Sequence, residues 1–336
     1  MCCSSYNEDR RDNGYDFSKE NKRGNVLIII PVKREADSIR AVIEEILTSG
    51  FSRDDILVVD GHSDDGTDEI VKSLGVSLIY QRGDGKADAI KSAVEEISRR
   101  ELDLDYLVFI DGDYTYPASH IRELIKRAVE GKDLVIGARK YLDKGSMGLV
   151  YRFGNRVLTA IFNIMFGTRL SDVLSGLYIV RLDILRELLF ETKGFSIESE
   201  IVAHVASTGG EIDEIPIRYR RRLNPKAKKL NVLKGLRICC DMIRLAWRYN
   251  PTLMIFLAGS LMLVPGLALG LYVAYHHFFV GITYFVKGLV AIMLTLAGFQ
   301  SLLLAILTLY LKRSEIRIMK RLRKITREDY RRNPWQ

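Results

Sequence analysis

Phe109-Ile110-Asp111-Gly112-Asp113-Tyr114-Thr115-Tyr116-Pro117 opens as an apolar run and stops abruptly on two carboxylates two residues apart. With Tyr106-Leu107-Val108 before it, the stretch reads as a buried strand whose tip carries the acids. Ligands of open α/β sheets gather at the carboxyl ends of strands. Carboxylates held there can bind a hard cation that bridges a diphosphate. Asp113 is then the first candidate for a metal ligand. Asp-Gly-Asp is also good turn chemistry, so its neighbours must decide.

Two more strands end in the same way. Val58-Val59-Asp60-Gly61-His62-Ser63-Asp64-Asp65-Gly66-Thr67 places Asp60 at a strand tip, with Asp65 or Thr67 ready to cap the next helix. VLIIIPVKRE, from Val26, contains Pro31 and sets Glu35 just before a helix. Three neighbouring strand ends bearing acids form one polar crevice, and the turn reading would need three coincidences.

Outward from these, SLIY and DLVIGAR add strands at 77–80 and 133–139. The segments between, at 37–50, 67–75, 86–100 and 118–131, repeat apolar residues at three and four spacing, as helices packed on a sheet do. The fold class expected for 25–230 is α/β, a mostly parallel sheet flanked by helices. Residues 1–24 are polar, lack an apolar signal core and are expected to be disordered.

After 230 the composition changes. Two apolar stretches, Thr252 to Val280 and Tyr284 to Leu311, each exceed the roughly 20 residues that cross a bilayer. Only Lys287 interrupts the second. The spacing predicts two transmembrane helices within 251–312, an interfacial amphipathic helix at 231–250 with Trp247 and Tyr249 at headgroup depth, and a basic tail at 313–336. The excess of basic residues behind the net charge of +8 lies after residue 217 and flanks the apolar stretches. The positive-inside rule therefore puts both flanks and the α/β domain in the cytoplasm. The same placement, with no groove-reading motif, excludes nucleic acid as the partner. The four cysteines form two adjacent pairs, Cys2/Cys3 and Cys239/Cys240, which suit free thiols better than a disulfide framework.

At this point the chain resembles the inverting family 2 glycosyltransferases, and more narrowly the dolichyl-phosphate mannose or glucose synthases, over residues 25–230. The resemblance implies the GT-A fold, a nucleotide-sugar donor linked to UDP or GDP, Mg²⁺ or Mn²⁺ as cofactor, and dolichyl or another polyprenyl phosphate as acceptor at the bilayer. It implies that Pro31, Glu35 and Asp60 hold the nucleoside, Asp111 the ribose or sugar side, and Asp113 the metal, with Asp111 a further metal candidate. Thr115, where relatives often carry a glutamine ligand, is the third. Gly83-Asp84-Gly85-Lys86 matches the family's glycine-lysine loop and makes Lys86 a phosphate or base neighbour. Arg139, Arg152 and Ser175 are implied at the acceptor phosphate, with Arg152-to-Asn155 and Asp172-to-Tyr178 as the matching segments. Gly194-to-Glu200 matches a late acidic helix. Ile215-to-Tyr219, Arg222 and Lys229 match a basic loop closing over the diphosphate, with Lys228 the alternative to Lys229. Gly61 and His62 depart from the usual acid and glycine. The run Tyr114-to-Pro117 favours UDP-glucose or UDP-N-acetylglucosamine over GDP-mannose. The rival readings are a processive polysaccharide synthase and a non-catalytic membrane scaffold.

Overall fold

A computed structural model describes residues 25–188, 197–223, 243–245 and 247–332. Residues 1–24, Lys228, Lys229 and most of the expected interfacial helix lie outside the described residues. The elements alternate: β1 Val26–Val32, α1 Ala36–Thr48, β2 Ile56–Asp60, α2 Thr67–Ser73, β3 Ser77–Tyr80, α3 Lys86–Arg99, β4 Tyr106–Phe109, α4 Ile121–Val129 and β5 Leu134–Leu142. There follow α5 Leu149–Phe166, β6 Tyr178–Arg181, α6 Leu182–Glu187, α7 Ile197–Ser207 and β7 Ile212–Tyr219.

The seven strands form one sheet in the order β3-β2-β1-β4-β6-β5-β7. The first four are parallel, while β6 runs antiparallel between β4 and β5. Side-chain alternation along β1 explains why helices cover both faces. Leu27 and Ile29 join Leu57, Val59, Leu107 and Phe109 under α3, α6 and α7. Ile28 and Ile30 join Ile56, Val58 and Val108 under α1, α2 and α4. Each fully buried Ile or Leu contributes about 1.5–3 kcal/mol relative to an exposed one, so the register is strongly specified.

That register aligns the strand tips. Val32 pairs with Asp60, and Ile29 with Phe109, so the carboxyl ends of β1, β2 and β4 lie side by side. The crevice expected from the three acid-bearing tips is where the sheet puts it.

Ile215-to-Tyr219, expected as part of a closing loop, is instead the end of β7, paired parallel to β5. Pro216 is tolerated because β7 is an edge strand. Only from Arg220 does the chain leave the sheet.

Two helices follow that are long and apolar enough to cross a membrane, Pro251–Val280 and Phe285–Met319, and most of their side chains are exposed. They pack on each other through glycines: a Cβ on Gly266 would meet Thr295 N at 2.7 Å, and one on Gly298 would meet Leu263 N at 2.6 Å. Small residues let such backbones approach closely. The second helix does not stop at the basic tail but continues to Arg332.

Candidate active site

A cavity of about 400 Å³ opens at the aligned strand tips, lined by Pro31, Glu35, Lys86, Asp111, Asp113 and Arg222 among others. The turn Gly112-Asp113-Tyr114-Thr115 holds its own acid in place. Thr115 donates to Asp113 Oδ1 from its backbone N (3.1 Å) and from its hydroxyl (2.5 Å). Tyr114 pays for the turn with a left-handed backbone, φ 65°, under the Arg220 guanidinium at 4.7 Å. The Ser38 hydroxyl lies 2.8 Å from Gly112 O and 3.0 Å from Glu35 Oε2, so its one proton serves either.

Every acid here meets a cation. Arg222 reaches Asp113 Oδ2 through Nε at 2.9 Å and through Nη2, and stands 3.9 Å from Glu35. Lys86, at the start of α3, bridges Asp111 Oδ1 at 2.5 Å and Glu198 Oε1 of α7 at 2.6 Å. Burial works against the Lys86 ammonium, yet the Asp111 and Glu198 carboxylates outweigh it and hold its pKa well above the ordinary value. Burial pushes the Asp111 carboxyl up, with Asp113 and Glu198 adding to the effect and Lys86 opposing it. Clustered carboxylates that already draw in protein cations have the donor chemistry of a divalent-metal site. Among the described residues no group of three or more His, Cys, Asp or Glu could hold a metal alone. A cation at Asp113 and Asp111 would therefore take the rest of its shell from phosphate and water.

A second cavity of about 210 Å³ adjoins the first, lined by Arg139, Lys140, Arg152, Asn155, Arg156 and Asp172. Arg139 lines both. It is fixed by Asp172 through Nε (2.6 Å) and Nη2 (2.7 Å), both side chains buried, and Asn155 Nδ2 donates to the same carboxylate at 3.0 Å. Burial opposes the Asp172 anion, but the Arg139 and Asn155 hydrogen bonds win and lower its pKa.

A family model described as glycosyl transferase family 2 matches residues 27–189. The glycosyltransferase AglJ of Haloferax volcanii is 31% identical over 285 residues, covering 84% of this chain and 92% of that protein. The chain belongs to glycosyl transferase family 2. A dolichyl-phosphate hexose transferase of the same organism is 27% identical over 195 residues, 58% of this chain and 82% of that one. The glucosyl-3-phosphoglycerate synthase of Mycobacterium tuberculosis, in complex with Mn²⁺, UDP-glucose and phosphoglyceric acid, shares the fold. Its TM-score is 0.53 at 19% identity, over 66% of this chain and 80% of that chain.

In this family 2 glycosyltransferase the site residues expected from sequence fall into three groups. Pro31, Glu35, Lys86, Asp111, Asp113 and Arg222 share the first cavity, and Arg152 lies at the second with Arg139. Thr115 turns its hydroxyl to Asp113 and so positions that carboxylate. Asp60 and Ser175 line neither cavity: Asp60 accepts from Ser63 N at 2.9 Å, and Ser175 donates to Gly137 O at 2.5 Å. His62 has a left-handed backbone at φ 56° and stacks on Tyr80.

Sequence reasoning did not single out Tyr116 or Glu198. The Tyr116 hydroxyl accepts from Gly176 N at 2.7 Å and joins the β4 tip to the β6 approach; an ordinary buried tyrosine gives no sequence signal. Glu198 did carry one, since the sequence 194–200 matched to a late acidic helix contains it, but Glu200 on the same helix shares that signal.

Gly176 lies so close to Asp111 that an added Cβ would overlap its Oδ2. Gly176→Ala is expected to displace that carboxylate and cut the transfer rate about 10²-fold, since small misplacements cost that much. A thermal melt beside the rate assay separates this from unfolding.

Burial raises the Glu35 pKa, with Asp113 adding to it and Arg222 opposing. A raised folded-state pKa means that stability is present at low pH and is lost as pH rises through the ordinary carboxylate range to the raised value. Glu35→Gln cannot ionise, so it is expected to melt higher than wild type at neutral pH, with the gap closing in acid. A lower melting temperature at neutral pH would mean that attraction to Arg222 dominates.

Proposed function

We propose that this glycosyltransferase carries out metal-dependent, inverting transfer of a hexose from a nucleotide sugar to dolichyl or another polyprenyl phosphate at the cytoplasmic face of a membrane. The observation that carries the reading is that Arg139 lines both cavities. A donor diphosphate in the acidic cavity and a phosphate acceptor in the cationic one would meet at this side chain. The dolichyl-phosphate hexose transferase relative supports the acceptor, and the UDP-glucose and Mn²⁺ of the structural neighbour support the donor and cofactor.

Pro31 and Glu35 face the nucleoside, and Asp60 holds the Ser63 loop beneath it. Asp113, with Asp111, would hold Mg²⁺ or Mn²⁺, which would neutralise charge on the leaving diphosphate. Arg222 moves from Asp113 to the diphosphate, and Lys86 orients Asp111 and opposes its protonation. Arg152, together with the Nη1 that Arg139 does not spend on Asp172 and Asn155, orients the acceptor phosphate through N–H donors. One of its oxygens attacks the anomeric carbon in line; the bond from that carbon to the diphosphate oxygen breaks and the nucleoside diphosphate departs. The acceptor is already mostly anionic at pH 7, its second pKa being about 6, so the chemistry needs no general base. UDP-glucose or UDP-N-acetylglucosamine is the favoured donor.

The donor is tested by supplying radiolabelled UDP and GDP sugars with dolichyl phosphate, with and without EDTA. One uridine sugar should label lipid in a chelator-sensitive way. Labelling from GDP-mannose alone would overturn the donor assignment.

A further inference from the structure

The helix α5, Leu149–Phe166, is apolar on two faces. Its inner face, with Leu158, Phe162 and Met165, is buried. Its outer face carries Leu149, Val150, Phe153, Val157, Ile161 and Ile164, of which Val150 is 86%, Phe153 70% and Ile164 74% exposed. These residues recur at three and four spacing and form one stripe. The outer face of a helix on a water-soluble domain is normally charged and polar. Here Arg152 and Arg156 are its charged residues, and the helix contains no acid.

The surroundings identify the partner. Leu158 and Met165 pack with Leu253 and Met254, the opening residues of the first membrane-length helix. The Asn250 amide just before that helix donates to Met165 O. The point where the chain would enter a bilayer is therefore fastened to the end of α5. Exposed cations surround the stripe, with Lys140 and Lys144 before it and Arg169 after it, and these suit the phosphates of a lipid surface.

We propose that α5 lies along the membrane surface with its apolar stripe in the boundary between headgroups and acyl chains, its partner being the phospholipid bilayer that holds the hairpin. This is a docking surface in addition to the segment 231–250 and independent of which sugar is transferred. It also sets the mouth of the Arg139–Arg152 cavity at headgroup depth, because Arg152 and Arg156 belong to the same helix.

The test uses the full chain with Cys2, Cys3, Cys239 and Cys240 changed to serine, and single fluorophore-labelled variants Phe153→Cys, Ile164→Cys, Leu261→Cys and Lys126→Cys. Leu261 is an exposed residue of the first membrane-length helix, and Lys126 sits on α4 across the sheet. The chain is reconstituted in phosphatidylcholine–phosphatidylglycerol vesicles with or without a nitroxide high on the acyl chain. Labels at 153 and 164 are expected to lose about half their emission to the nitroxide, as an inserted apolar face should. The label at 261 should also be quenched and that at 126 should not. Quenching at 261 with none at 153 or 164 would overturn the proposal and leave the membrane hairpin standing. Label–label excimers at 153 in that case would identify a second copy of the chain as the cover. An unquenched 261 would overturn the hairpin reading and this proposal together.

Discussion

Asp113→Asn is expected to lower sugar transfer by about 10³-fold or more, the scale of losing electrostatic stabilisation of a leaving diphosphate. The amide keeps the shape of the side chain and can still accept from Thr115, whose two donors converge on Oδ1. What it loses is the charge that Arg222 meets at Oδ2 and that a divalent cation requires. The new Nδ2 faces the Arg222 donors in place of an acceptor, so a thermal melt is run beside the rate to account for any lost stability, while Mn²⁺ titrated into the purified chain and followed by its spin-resonance signal should bind more weakly than to wild type. Unchanged Mn²⁺ affinity would remove Asp113 from the metal site.

The second large effect concerns stability as well as rate. Arg139→Ala leaves the buried Asp172 carboxylate without its principal partner, and an orphaned buried charge costs about 3–5 kcal/mol. For a domain of ordinary stability that is a large share of the total. The double variant Arg139→Gln/Asp172→Asn removes both charges and keeps hydrogen-bonding groups in place. It is expected to recover most of the stability, because neutral replacement of a buried ion pair is often tolerated. Transfer should stay lost if Arg139 binds the acceptor phosphate as proposed, since the double variant still lacks the guanidinium. Chemical denaturation of the three proteins reads the first effect, and the initial rate reads the second. Recovery of both together would make Arg139 a structural residue only.

Much of this was legible in the order of residues because strand tips are local features. β1, β2 and β4 each announce themselves by an apolar run and end on or near the acids that line or support the crevice, and their parallel register follows from the helices between them. The remainder depends on contacts that sequence spacing cannot reveal. β6 has only four residues and begins at Tyr178, where the segment 172–178 matched to the acceptor side ends. The Arg139–Asp172 pair forms because antiparallel β6 and its approach fold back beside β5. Lys86 meets Glu198 only when α3 and α7 cover the same face of the sheet. Ser175 shows the converse: its motif was visible, but that its hydroxyl donates to the Gly137 carbonyl was not.

Competition between acceptors distinguishes a phosphate carried on a polyprenyl chain, the proposed acceptor, from every other. Wild-type membranes would receive a radiolabelled nucleotide sugar with either a polyprenyl phosphate or the corresponding polyprenol, and the lipid product would be isolated. A labelled sugar phosphodiester is expected from the phosphate and none from the alcohol, with an Arg152→Ala variant weakened chiefly in its dependence on acceptor concentration. Equal labelling of the alcohol, or release of free sugar without any lipid product, would contradict it.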